Sequence, residues 1–216
     1  MASGGVAAAP ITARGRRTRE SLVQAARDVF EAKGFSDTTM SDLADAAGVS
    51  HGTVYTYFPA KEAVLAAVCN AVVGEVFAAV RVPEDLRADP VTRIAEGNRR
   101  YLRAYAAHAR MLEVVEQAAT TDEYFRELVD GLRGVFVEKA KSTLRRFQAD
   151  GLADATLDPD IAGPALVGMV ESFARRWYVH DGTFDAEQVV DTLTRMWARA
   201  IGLPVEHQQS ETREQP

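Results

Sequence analysis

The stretch SHGTVYTY at 50–57 places His51, Gly52, Thr53, Tyr55, Thr56 and Tyr57 on one side of a short helical segment, while Val54 and Phe58, four residues apart, face the other way. The first set is small or hydroxyl-bearing and almost uncharged. Its chemistry is recognition: hydroxyls and ring N–H groups can bond base edges and phosphate oxygens, and a low surface lets a helix lie deep in a major groove. Arg14, Arg16, Arg17 and Arg19 stand together before the first helix, where they can follow phosphates or enter a minor groove; a solvated charge run is the alternative. Turnover chemistry finds no such set. His51, His108, His180 and His207 lack metal-ligand spacing, no glycine-rich phosphate loop occurs, and the lone Cys69 falls inside an apolar helix as core filler.

Local signals position the 50–57 face. Thr39 and Asp42 have the spacing of a capping box, so a helix starts at Met40; Leu43, Ala44 and Ala47 give it an apolar stripe and Gly48 supplies the left-handed turn. Ser50 caps the next helix and Pro59 ends it. Before them, 17–33 repeats Leu22, Ala25, Ala26, Val29 and Phe30 at helical period, with Gly34 as stop and Phe35 folding back. Together these predict a three-helix core carrying a helix-turn-helix.

With RESLVQAARDVFEAKGF before it and PAKEAV after it, TTMSDLADAAGVSHGTVYTYF resembles the tetracycline-repressor (TetR) family over roughly fifty residues. The resemblance implies an all-α fold, with an N-terminal DNA-binding domain and a C-terminal helical domain that binds a small molecule and dimerises. It implies DNA contacts from Thr39, Ser50, His51, Gly52, Thr53, Tyr55, Thr56 and Tyr57, with Arg14, Arg16 and Arg17 on an N-terminal arm. Lys61 is implied as a phosphate contact, since a cation at a helix start calls for an anion. Where relatives often carry a serine or aspartate cap this chain has Ala60, which predicts a frayed start.

The expected organisation is a disordered arm at 1–15, the DNA-binding domain at 16–62, the ligand-binding and dimerisation domain at 63–203 and a flexible tail at 204–216. Helices are predicted over 61–80, 91–107, 108–119, 120–151 (opened by a Thr120/Glu123 capping box), 159–179 with a late start or bend at Pro164, and 185–203, with a loop at 81–90. The basic end of 139–146 is assigned to the helix dipole. Phe77, Tyr101, Tyr105, Met111, Phe125, Phe136, Met169, Phe173 and Trp177 predict an apolar pocket, and core packing is the competing reading of each. Asn98 interrupts an apolar stripe; it is satisfied by a neighbour or it orients a ligand. The helix at 165–179 is apolar over most of its circumference, so a second copy of the chain is expected against Leu166, Val170, Tyr178, Leu193 and Trp197.

Length and charge bound these readings. The 216 residues, 47% hydrophobic and 26% charged, suffice for one or two packed units. The net charge of −6 opposes non-specific wrapping of nucleic acid, while the arginine cluster keeps one end basic. No apolar run is expected to span a membrane, and a single cysteine excludes an internal disulfide, which fits a reducing cytoplasm. The expected function is a cytoplasmic, homodimeric, ligand-responsive regulator, most simply a repressor of a palindromic operator released by a small hydrophobic or aromatic effector, with no cofactor or metal. An enzyme and a constitutive DNA-binding protein with a solid core are the alternatives.

Overall fold

Helix starts in this chain are set by side chains that accept from backbone N–H groups the helix itself leaves unpaired. The computed structural model describes residues 12–80, 89–179 and 182–204, and within them the chain forms eight α-helices and no strand. They are α1 (Ala13–Lys33), α2 (Met40–Ala46), α3 (His51–Tyr57), α4 (Lys61–Ala79), α5 (Pro90–Ala119), α6 (Glu123–Ala149), α7 (Pro159–Val179) and α8 (Ala186–Ala200).

Thr39 accepts from the Asp42 N–H at 3.2 Å while Asp42 accepts from the Thr39 N–H at 2.9 Å, a complete capping box. The Lys33 ammonium, with the Thr39 bonds behind it, holds the Asp42 carboxyl down at about 2. Its contribution is therefore full above the ordinary carboxylate value and is lost as pH falls from there toward 2. Thr39→Ala should cost about 1 kcal/mol, read as a lower midpoint in urea, with the loss fading in acid as Asp42 protonates. Gly34 and Gly48 take φ of 77° and 65°, as the turns after α1 and α2 demand.

Two cores stack along the molecule. The first joins Leu22, Ala26 and Phe30 of α1 to Leu43, Val54 and Phe58 of the helix-turn-helix, and continues along α4 to Met111, Val114 and Phe125. The second gathers Leu102, Tyr105, Leu144, Phe147, Leu166, Val170, Leu193 and Trp197. Helix α5 runs through both as one continuous rod, where two helices meeting at 107/108 were expected; no breaker lies there, and its buried face shifts because it serves one core and then the other. At the junction Arg27 of α1 bonds Glu75 of α4 at 3.0 Å and lies 2.9 Å from His108 Nδ1 of α5. Burial first, then the neighbouring guanidinium, lowers the His108 pKa, favouring its neutral form.

Several boundaries differ from expectation. Thr12 caps α1, so Arg14, Arg16 and Arg17 are exposed on a helix instead of an extended arm; residues 1–11 lie outside the described part, as do 81–88 of the expected loop and 205–216 of the tail. Asp122 caps α6, while Thr120 turns its hydroxyl onto the Gln117 carbonyl at 2.7 Å. Pro164 sits exposed inside α7, which starts at Pro159 with no delay. By length and composition α4 is apolar enough to cross a membrane, contrary to expectation, yet Val64, Leu65, Val68, Cys69, Val72 and Val76 are buried in the protein, as in a core helix.

Candidate nucleic-acid interface and cavities

Val54 and Phe58 pin α3 to the first core, which leaves His51, Gly52, Tyr55 and Thr56 exposed and Thr53 and Tyr57 half-buried. Tyr55 keeps 51% of its surface open. Ser50 caps α3 by accepting from the Thr53 N–H at 3.2 Å, and the Ser50 and Thr53 hydroxyls lie 2.8 Å apart. The Thr56 hydroxyl donates to the Gly52 carbonyl at 2.9 Å. Nothing inside the chain requires glycine at 52, because a Cβ there would meet only Ser50 Oγ, 4.0 Å away.

Thr39 is exposed, with its hydroxyl committed to Asp42. Lys61 differs more. Its ammonium donates to the Phe35 and Ser36 carbonyls at 2.8 and 3.2 Å and lies 4.5 Å over the Phe35 ring, so carbonyl dipoles supply the partner expected from phosphate. Ala60 provides no side-chain cap above it.

Among the described residues of the helical domain, two adjoining cavities meet at Tyr101, Phe136 and Val167, which border both. The first, about 60 Å³, is walled by Cys69, Val72 and Val76 of α4, Tyr105 and Leu112 of α5 and Leu128 and Leu132 of α6. Burial pushes the Cys69 thiol up to about 12, which keeps it protonated and unreactive. Charge enters at one side, where Arg133 pairs with Glu171 at 2.7 Å beside Glu116. The second, about 160 Å³, is lined by Asn98, Trp197, Leu166 and Val170, with Arg93, Lys139, Thr143 and Arg146 also on its wall. Asn98 donates to Thr194 Oγ1 at 3.1 Å and also borders this cavity, so both readings of it hold in part.

Of the expected pocket residues, Asn98, Tyr101, Tyr105 and Phe136 border a cavity. Met111 and Phe125 are corrected to the first core, where they are fully buried. Phe77 stacks on Phe136 outside both walls, Phe173 and Trp177 pack with Phe184, and Met169 borders neither cavity. Sequence reasoning missed Arg133, Glu171 and Lys139. For Lys139 a signal existed: it shares the period of Phe136, Ala140 and Thr143, well before the helix end where a dipole acts.

The expected dimer residues lie mostly inside the single chain. Leu166, Val170, Leu193 and Trp197 are buried within the single chain, and Tyr178 is half-buried and stacks on Trp177 with centroids 4.4 Å apart. The unburied side of α7 instead shows Ile161, Ala165, Gly168 and Ser172, and that of α8 shows Thr192, Met196 and Ala200. Ile161 is 72% and Met196 51% exposed.

Residues 22–68 match the description "Bacterial regulatory proteins, tetR family", and residues 87–201 match "Tetracyclin repressor-like, C-terminal domain". The sequence is 28% identical over 200 residues to the transcriptional regulator EthR of Mycolicibacterium smegmatis, covering 88% of this chain and 92% of EthR. It is 27% identical over 186 residues to the transcriptional repressor KstR2 of the same organism, covering 79% and 84%. The fold superposes with a TM-score of 0.67 on NalD of Pseudomonas aeruginosa, the secondary repressor of the MexAB-OprM multidrug efflux pump, at 23% identity and covering 88% and 98%. All three are named as regulators or repressors.

Proposed function

Because the chain belongs to the TetR family of bacterial regulatory proteins, and is thus a DNA-binding transcriptional regulator, we propose that it acts as a homodimeric repressor that holds a palindromic operator and is released by a small hydrophobic effector. The face of α3 reads the major groove, with Arg14, Arg16 and Arg17 of α1 on phosphates and Tyr55 the most projecting contact. Repression, as opposed to activation, is supported by the names of KstR2 and NalD. The second subunit sits on the small and apolar stripe of Ile161, Ala165, Gly168, Met196 and Ala200, where short side chains let helices approach closely.

Release follows from the position of α4. Its buried side forms one wall of the first cavity and also part of the core beneath α3, and Glu75 ties it to α1 through Arg27. A ligand that wedges α4 away from α5 and α6 rotates each DNA-binding domain, so the two α3 helices depart from the separation of about 34 Å that successive major grooves require. A coupling of about 1–3 kcal/mol is enough to weaken the operator complex 5- to 150-fold.

Gly52 carries this reading, since its missing side chain serves nothing within the chain. Gly52→Leu should leave thermal stability unchanged or raise it, because leucine is the better helix former by up to about 1 kcal/mol. The same variant should lose at least about tenfold in operator affinity by gel shift, on operator fragments selected from the host genome. Retained binding would remove α3 from the interface.

A further inference from the structure

We propose that the effector is an amphipathic anion, with its aliphatic or aryl body in the second cavity and a carboxylate or phosphate held at the mouth by Lys139 and Arg146. This rests on the reading of the helical domain as an effector site and adds the ligand's charge to it. Lys139, Thr143 and Arg146 follow one another at i, i+4 and i+7 on α6, so all three face the same side. The rest of the lining is mostly apolar, with Ile94, Leu166, Val170 and Trp197 beside Asn98 and Arg93, and no carboxylate lines the cavity among the described residues.

Elsewhere in the helical domain Arg99 pairs with Glu187, Arg133 with Glu171, Lys141 with Asp160 and Arg195 with Asp191, all at 2.6–2.8 Å. Lys139 and Arg146 meet no carboxylate among the described residues. Among the described residues the Lys139 ammonium donates to the Val80 carbonyl at 3.5 Å, and the Arg146 guanidinium rests on the Phe147 ring. Partial desolvation, then Arg100 and Arg93 nearby, act against the charged form of Lys139. An anion at the mouth reverses the electrostatic part of that penalty, whereas a neutral head gains nothing and a cationic head is repelled. The first cavity offers no such preference, because Arg133 and Glu171 neutralise each other at its rim.

The test uses the full chain and four ten-carbon probes below their micelle concentrations: decyl phosphate, decanoate, decanol and decyltrimethylammonium. Binding is read from Trp fluorescence, Trp197 being on the cavity wall, and from thermal shift. The anions should bind at least about tenfold more tightly than decanol, as a charge-assisted contact provides, and the ammonium most weakly. In the Lys139→Met/Arg146→Met double variant the anions should fall to the level of decanol while decanol binding and operator affinity stay unchanged. Equal binding of decanol, stronger binding of the ammonium, or an anion preference that survives the double substitution would overturn the proposal. Operator release is scored separately: a neutral compound that frees DNA while no anion binds sinks this inference and spares the repressor reading. Anions that bind without ever weakening the operator complex do the reverse.

Discussion

Phe58→Asp should abolish DNA binding without altering any group that faces DNA. Phe58 is 3% exposed, closes the core formed with Leu22, Phe30, Leu43 and Val54, and carries the Arg19 guanidinium 5.0 Å over its ring. A carboxylate in that place gives up the ring's burial and must be desolvated or drag the helix open. The combined cost is about 3–5 kcal/mol, a large part of the 5–15 kcal/mol that holds such a domain. Arg19 lies close enough to offset a fraction, which places the expectation toward the lower end. The measurement is circular dichroism on heating together with a gel shift. Tyr55→Ala serves as control: it should lose DNA affinity at nearly unchanged melting temperature, since Tyr55 is 51% exposed and its ring contact is with His51, itself exposed. A Phe58→Asp protein with a normal melt and normal binding would show that α3 is not held by this core.

Met196→Asp should give a folded monomer whose operator affinity falls by two or more orders of magnitude, because joining two half-site readers contributes about 10²–10⁴ in avidity. Met196 projects from α8 on the side that carries Thr192 and Ala200, so the carboxylate is solvated in the isolated chain and costs it little. In a dimer closed over this stripe the two copies would bury like charges near the two-fold axis. Leu193→Asp provides the contrast: Leu193 is buried inside the single chain, so that variant should unfold instead of dissociating. Light scattering with thermal melts separates the two outcomes, and an unchanged dimer for Met196→Asp would move the interface elsewhere.

The segments that were easiest to read are those whose conformation is fixed by neighbours a few residues away. Thr39 with Asp42, Ser50 with Thr53, and the glycines at 34 and 48 each close a local hydrogen bond or turn, and each stands as the sequence implied. Boundaries went astray where two local solutions compete. Thr120 and Asp122 both offer a cap to α6, and the structure uses Asp122 because Thr120 still closes α5. The division expected within α5 has a different cause: Leu102 and Tyr105 point into one core and Met111 and Val114 into the other, so a single helix shows a change of stripe that resembles a break.

By itself, the sequence determined that this protein is helical, that a capped helix-turn-helix opens it, and that an uncharged, low face on α3 is turned away from its core, because capping, turn chemistry and helical period act over four residues or fewer. Only the tertiary structure decided which apolar residues line space and which fill it, that Lys61 serves two carbonyls of a distant turn, and that Lys139 and Arg146 line one cavity. It also decided which side of α7 and α8 faces inward. These depend on how helices far apart in sequence pack: an apolar stripe records that a surface is to be covered, but not by which neighbour or how completely.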